Sequence, residues 1–298
     1  MQFSFWPTPS LPFEETRQLV THAERTGWDG IWLADHFMPN AQDTSAPWPE
    51  AWTTLAALAA STDRVRLGTL VTGNTYRHPA VLAKMAATLD HISNGRAILG
   101  LGSGWQENEH HQYGIEFGSV ASRLARLEEA CQVIRALFNN SKANFKGQYY
   151  TLTDASLEPK PVQAPMPLMI GGGGEKVTLK ITARHANAWN VWGDPAILRH
   201  KMAILDQHCQ DEGRNPGEIH RTAVALLFMS NDEAFLDGMR DREIAQPHLI
   251  GTPNEIRAIV DEYQAAGVDE LIVPDFTMGS SAQKIATMDQ FMTEVAGR

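Results

Sequence analysis

The stretch from Arg64 to Trp105, RVRLGTLVTGNTYRHPAVLAKMAATLDHISNGRAILGLGSGW, does most to limit what this chain can become. An apolar run, Val65 to Val71, leads into a polar loop that ends at His78-Pro79. Proline costs nothing in the first turn of a helix, where its missing N–H would have no intrahelical acceptor. Val81, Leu82, Met85 and Leu89 then recur at helical spacing, and Asn94-Gly95 is a stop. A second apolar run, Ala97 to Leu101, passes straight into Gly102-Ser103-Gly104. Strand, helix and strand in about forty residues make a βαβ unit, whose strands are parallel. Parallel sheets bind ligands at the carboxyl ends of their strands. Attention therefore falls on Thr72-Gly73 and on Gly102 to Gly104.

The rest of the chain keeps that rhythm. Gln2 to Trp6 reads as a strand, Phe13 to Arg25 as a helix stopped by Gly27, and Trp28 to Ala34 as a strand ending at Asp35-His36. The loop from Phe37 to Glu50, with Trp48 among its prolines, is long enough to serve as a lid or substrate wall. A helix over Trp52 to Ala60 completes this part. After Trp105 comes a polar segment, QENEHHQYGI, then a helix over Ser122 to Phe138 and a small hairpin insertion near 143–157. Leu168 to Ile170 runs into Gly171-Gly172-Gly173-Gly174, and a helix is expected over Glu175 to Arg184. Strands at Ala186 to Val191, Arg221 to Met229 and Glu270 to Val273 alternate with helices at Ala196 to Cys209 and Pro253 to Ala266, and a last amphipathic helix closes the chain.

Eight strands, nearly all separated by a helix, predict an α/β fold: a single (β/α)8 TIM barrel over residues 1–298 with insertion segments. A doubly wound sheet would carry its glycine fingerprint after the first strand, whereas here the glycines follow the fourth and fifth. Gly100-x-Gly102-x-Gly104 also misses the dinucleotide pattern, because Trp105 stands where its third glycine belongs. The net charge of −10 comes without clustered Lys or Arg, which excludes a nucleic-acid or anionic-membrane surface. Cys131 and Cys209 have no metal or disulfide spacing and read as buried, inert thiols. No basic leader and no apolar stretch of ~20 residues is visible, so a cytoplasmic protein is expected.

A barrel gathers its strand ends at one mouth. Trp6, Asp35, His36, Thr72, Gly73, Gly102, Ser103, Gly104, Trp105, Gly171 to Gly174, Trp192, Asp275 and Phe276 converge there. One imidazole, a carboxylate, bare glycines and aromatic walls suit a flat aromatic ligand with a phosphate tail. The four glycines either present free N–H groups to an anion, with Lys176 and Lys180 adding charge, or form only a tight turn. Asp35-His36 suits proton or hydride chemistry, the carboxylate orienting the imidazole; the alternative is a dipeptide that caps a loop. His78 either starts a helix or serves the site. His110-His111 lacks a third metal ligand and reads as a solvated turn. Trp6, Trp48 and Trp105 are candidate substrate walls.

The stretches LADHF (33–37), LGTLVTGNTYRHP (67–79), NGRAILGLGSGW (94–105) and EPKPVQAPMPLMIGGGGEKVTLKITAR (158–184) resemble the luciferase-like monooxygenase superfamily, most nearly its branch that uses the deazaflavin coenzyme F420. The resemblance implies a TIM barrel, a homodimer, and a non-prolyl cis peptide at Leu70–Val71 forming a bulge behind the deazaflavin ring. By position, Gly73, Ser103, Gly104 and Asn108 would touch the ring or ribityl chain. Gly172, Gly173 and Gly174, with Lys176, would hold the phosphate, and Asp35 and His36 would flank the reactive carbon. Two positions depart from the pattern. Trp105 replaces a Glu that serves as proton donor in the best-understood members, with Glu107 and Glu109 nearby but out of register. Asn187 replaces an Asp. An indole in place of the acid points to a larger, more apolar substrate. The function so implied is hydride transfer between F420 and an alcohol, carbonyl or activated alkene. Alternatives are an FMN-dependent monooxygenase supplied with reduced cofactor by a separate reductase, and a flavin-binding protein without catalysis.

Overall fold

In the computed structural model, which describes residues 1–298, the eight strands read from the sequence close on themselves. They are β1 (Gln2–Trp6), β2 (Gly30–Leu33), β3 (Arg66–Thr69), β4 (Ala97–Gly102), β5 (Leu168–Gly171), β6 (Ala188–Trp192), β7 (His220–Val224) and β8 (Glu270–Pro274). Each pairs in parallel with the next, and β8 returns to β1 in register from Gln2↔Glu270 to Trp6↔Pro274. Such strands are covered on both faces, which is why they read as unbroken apolar runs rather than alternating ones. Trp6, Trp32, Ile98, Met169, Val224 and Ile272 fill the inside. The opposite faces, Phe5, Ile31, Leu67, Leu99, Ile170 and Leu271 among them, pack against the surrounding helices.

The helices follow their apolar stripes. Phe13–Arg25 buries Thr16, Leu19, Val20 and Ala23, a single 3.6-period face. Pro79–Ile92 is capped by His78, whose side chain accepts from the N–H of Ala80, so this histidine starts a helix. The floor of the barrel holds a buried carboxylate, Glu270, which accepts from Trp32 Nε1 (2.9 Å), Arg66 Nη2 (3.2 Å) and His220 Nε2 (3.1 Å).

Four local readings are corrected. The apolar run at 65–71 is not one strand: Leu70–Val71 is a cis peptide, as the resemblance implied, and Thr72–Gly73 resumes pairing beside Leu101 and Gly102. The polar segment after Trp105 contains a helix, Glu107–Tyr113, closed by Gly114 in a left-handed conformation (φ 68°). The helix after the glycines begins at Thr178, not Glu175, because residues 175–177 form a turn. The apolar run at 221–229 splits at Ala225. Only His220–Val224 stays in the barrel, while Leu226–Met229 pairs with His248–Gly251 outside it, joined through helix Glu233–Arg240.

The hairpin insertion forms as antiparallel strands Ala143–Lys146 and Thr151–Ala155. Cys131 and Cys209 are buried and unpaired, and no helix is long and apolar enough to cross a membrane.

Candidate active site

The end of β2 delivers Asp35 and His36 to the mouth, but not as partners. Asp35 is fully buried, and both of its oxygens are taken by Arg77: Nη1 donates to Oδ2 (2.6 Å) and Nη2 to Oδ1 (3.1 Å). Arg77 also donates to Glu50 Oε1 (2.6 Å), and Glu50 in turn caps the helix Ala51–Ala59. Burial alone would lower the Arg77 pKa; the hydrogen bonds and charge of Asp35 overcome it and raise it. The expectation that Asp35 orients His36 is therefore replaced. Asp35 anchors the loop that carries Tyr76 and Arg77.

The carboxylate that does meet His36 is Glu109, on the helix Glu107–Tyr113. Its side chain has no solvent exposure, and its Oε1 lies 2.7 Å from His36 Nδ1. Oε2 accepts the N–H of Phe37 (2.7 Å), and the Tyr76 hydroxyl donates to Oε1. Burial would raise the carboxyl pKa, but the bonds from His36, Phe37 and Tyr76 outweigh it and hold Glu109 below its ordinary value. Burial and the Glu109 carboxylate together push the Tyr76 phenol well above its usual range, so its proton stays in place. The same helix and the residue that precedes it tie down the loop after β2 twice more. Gln106 Nε2 donates to the Met38 carbonyl (2.9 Å) and Asn108 Nδ2 to the Pro39 carbonyl (2.9 Å). Asn108 Oδ1 accepts the N–H of Glu109 (2.9 Å), so the amide placed by resemblance beside the ribityl chain is engaged on both atoms.

Beside His36 the mouth is shaped by bare backbone and aromatic rings. A Cβ on Gly102 would lie 2.8 Å from Val71 Cγ2, and one on Gly171 2.7 Å from the same atom. Those glycines make room for Val71 of the bulge; Leu70 next to it is buried with the inner barrel. At Gly73 a Cβ would meet the Tyr76 ring at 2.6 Å. Gly104 has φ +81°, reserved in practice for glycine, and its carbonyl accepts from Arg123 Nε (3.1 Å). Ser103 is half-buried beside it. Trp105 is 61% exposed and stands edge-on to His36, with ring centroids 5.4 Å apart. Trp6 is buried and packs on Trp192 (6.1 Å) and on the exposed ring of Phe276 (5.2 Å). Trp48 is half-buried, its indole N–H enclosed without an acceptor.

The glycine run lies at the end of β5, on the same mouth as His36, because all barrel strands are parallel. Gly172 donates its N–H to the Asn190 carbonyl (2.9 Å), while those of Gly173 and Gly174 have no backbone acceptor. The cation at this loop is Lys201, unforeseen from the sequence and brought by the helix Pro195–Asp211. Its Nζ donates to the Gly173 carbonyl (2.8 Å) and lies 3.2 Å from Glu175 Oε1. A Cβ on Gly173 would come within 3.1 Å of Lys201 Cε. Lys176, the cation expected here, is exposed and forms no hydrogen bond or salt bridge to the protein. The pocket thus offers an anion the free amides of Gly173 and Gly174, and Lys201, with two of its three N–H donors engaged, has one to add. Two strands from the glycine run, just after Thr72–Gly73, Asn74 is buried with its Oδ1 unpartnered.

The remaining singled-out residues are structural. His110 is buried, not in a solvated turn, with Nδ1 against the Gln106 carbonyl (2.6 Å) and Nε2 against Thr75 Oγ1 (2.7 Å). Asn187 braces the start of the β5–β6 pair by accepting from Leu168 N (3.2 Å) and Arg135 Nη2 (3.2 Å). No cluster of His, Cys, Asp or Glu could hold a metal ion.

A family model described as luciferase-like monooxygenase matches residues 2–240. An F420-dependent glucose-6-phosphate dehydrogenase of Amycolatopsis mediterranei is 43% identical over 256 residues, covering 82% of this chain and 76% of that one. An F420-dependent hydroxymycolic acid dehydrogenase of Mycobacterium tuberculosis is 31% identical over 223 residues, covering 74% and 61%. Among solved structures, an F420-dependent secondary alcohol dehydrogenase in complex with an F420-acetone adduct superposes with a TM-score of 0.86 at 21% identity, covering 99% of this chain and 98% of that one.

Proposed function

The chain belongs to the luciferase-like monooxygenase family, and on that premise we propose that it is an F420-dependent oxidoreductase acting on an uncharged alcohol or carbonyl, or on an activated alkene. When bound, F420 supplies the hydride acceptor and donor, and the protein supplies binding, orientation and proton handling. The observation that carries the reading is the shared mouth. An imidazole with a carboxylate behind it stands on the same barrel face as a glycine cradle containing Lys201.

Gly173 and Gly174 with Lys201 would hold the cofactor phosphate. Val71 and its glycine-lined surroundings would support the ring, and Asn74 Oδ1 would accept from the polyol chain. His36 moves the substrate proton. With Nδ1 engaged by Glu109, its Nε2 is the nitrogen free to exchange a proton with a substrate hydroxyl. Trp105, Trp6 and Phe276 exclude water and give the substrate apolar walls.

The restriction to an uncharged substrate rests on how the cations outside the glycine loop are used, since Lys201 and Lys176 at that loop are assigned to the cofactor phosphate. Arg77 is held by Asp35 and Glu50, and Lys284 lies 3.0 Å from Asp275 Oδ2. Arg123 donates to the carbonyls of Gly104 and Gly118. Titration of the protein with oxidised F420 and with FMN, followed by fluorescence, tests the reading. Micromolar binding of F420 with FMN ignored supports it. FMN binding without F420 binding, followed by oxygen consumption with reduced FMN, would replace it with a two-component monooxygenase.

A further inference from the structure

We infer that Glu109 is the positioning residue for His36: the buried carboxylate fixes the imidazole with its proton on Nδ1 and so presents a bare Nε2 to the substrate. The inference deepens the proposed reaction and rests on it for the identity of the substrate proton, but the state of the ring is a property of the free protein.

The geometry allows two arrangements, and the chemistry of Glu109 separates them. His36 Nδ1 has two oxygens within reach, Glu109 Oε1 at 2.7 Å and the Tyr76 hydroxyl at 3.4 Å. If Tyr76 donated to Nδ1, the ring proton would sit on Nε2 and His36 could not take a proton from a substrate. An ionised carboxylate accepts but never donates. Glu109 accepts the Phe37 N–H at Oε2 and the Tyr76 hydroxyl at Oε1, a carboxylate's pattern, so at 2.7 Å from Oε1 it is Nδ1 that supplies the hydrogen. Tyr76 completes the arrangement by turning its own hydroxyl to Glu109. Its ring is wedged between Phe37 (centroids 4.8 Å) and His110 (5.1 Å), which leaves the phenol little freedom to turn away.

Glu109 also holds the backbone behind the ring, because its Oε2 accepts the N–H of Phe37, the residue next to His36. Ring and main chain are therefore gripped by one side chain. The groups facing His36 are Glu109 from the helix Glu107–Tyr113, Tyr76 from the loop before Pro79, and the edge of Trp105; the neighbouring charges of Asp35 and Arg77 neutralise each other. When Nε2 accepts a hydroxyl proton, the O–H bond breaks and the new N–H leaves the imidazole positively charged. That charge then faces the Glu109 carboxylate, whose side chain is shielded from water.

The test labels the protein with 15N-histidine and reads the long-range proton–nitrogen spectrum of the cofactor-free protein, with His36 assigned by its loss in His36→Asn. The expected result is Nδ1 protonated and Nε2 unprotonated when the ring is neutral. Glu109→Gln should release that preference, since a side-chain amide can donate to Nδ1. The spectrum should move toward the Nε2-protonated form. With F420 and a substrate, the same variant should lose about a hundredfold in kcat while cofactor affinity stays within about threefold. A wild-type ring protonated on Nε2, or a Glu109→Gln ring unchanged in tautomer, overturns the inference. The wild-type measurement stands even if the variant fails to fold. Failure of wild-type protein to bind F420 would remove the proposed reaction and leave the tautomer assignment intact, so the two failures are told apart.

Discussion

Arg77 grips both carboxylate oxygens of Asp35, at 2.6 and 3.1 Å, inside a wall that water does not reach. Removing one member of a buried pair strands the other, at a cost of several kcal/mol. Asp35→Asn is therefore expected to lower unfolding stability by about 3 kcal/mol in urea titration. Its kcat, per folded molecule, should fall far less than that of His36→Ala. A drop in kcat as large as that of His36→Ala, with stability unchanged, would place Asp35 in the chemistry instead.

The glycines around Val71 differ in what a methyl group would meet, and a matched series reads this out. At Gly100 a Cβ would fall 1.9 Å from the Thr69 carbonyl oxygen, a backbone atom that cannot give way. Gly100→Ala should fail to yield soluble folded protein. Gly102→Ala presses on Val71 Cγ2 at 2.8 Å, which can move only by displacing the bulge, so F420 affinity should fall with the fold retained. Gly238, in the helix Glu233–Arg240, has nothing within 4 Å. Gly238→Ala should stabilise by about 0.5–1 kcal/mol, because a helix interior favours alanine.

Lys201 and Lys176 separate the cation that belongs to the glycine loop from the one that only neighbours it in sequence. Lys201→Met should raise the Kd for F420 about tenfold, roughly the 1.4 kcal/mol expected of one charge-assisted contact. Lys176→Met should change it by less than about twofold, in keeping with a fully solvated charge. Equal losses from both, measured at low and at high salt, would mean that only the summed charge of the loop matters.

Much of this could be read before any coordinates. The strand Gln2–Trp6 and the helix Phe13–Arg25 have the bounds that apolar spacing and the glycine stop gave them, since both signals are local. The glycine runs marked the mouth for the same reason. What could not be read is the pairing across it. Glu109 meets His36, and Arg77 meets Asp35, over 73 and 42 residues of chain respectively. The helix carrying Glu109 also escapes hydropathy. Its two buried residues are Glu109 and His110, so the face turned inward is polar and shows no apolar period. Lys201 was hidden in a helix whose apolar stripe, Leu198, Met202 and Leu205, explains that helix fully without it.

The floor of the barrel sets a pH limit. Burial would raise the carboxyl pKa of Glu270, but the hydrogen bond from His220 and the charge of Arg66 more than reverse this, leaving it below its ordinary 4.5. A group with a depressed folded pKa contributes stability that is fully present above its unfolded value. That contribution is lost as pH falls through the folded one. Urea midpoints should therefore decline as pH drops below about 4.5. Glu270→Gln should start less stable at neutral pH and lose less of its stability on acidification. Parallel pH curves for the two proteins would show that Glu270 does not set the slope.

Substrate choice decides between the two kinds of relative. One is named for glucose 6-phosphate and the other for hydroxymycolic acid, and a phosphorylated substrate needs a cation at the mouth to receive it. Here Arg77, Arg123 and Lys284 are already committed to internal acceptors, and Lys201 and Lys176 stand at the glycine loop assigned to the cofactor phosphate. A phosphate approaching His36 would have to strip one of them, at about 1.5–3 kcal/mol for a hydrogen bond to a charged group. An apolar alcohol meets no such obstacle and gains contact with Trp105 and Phe276, whose rings are 61% and 44% exposed. With F420 bound, kcat/KM for a hydrophobic secondary alcohol such as 2-octanol should exceed that for glucose 6-phosphate by about a hundredfold. Trp105→Ala should raise KM for 2-octanol several-fold with a smaller effect on kcat, because the indole wall binds ground and transition states alike. Efficient turnover of glucose 6-phosphate by the wild-type protein would show that one of these cations exchanges its internal partner for substrate, and the assignment of an uncharged substrate would fall.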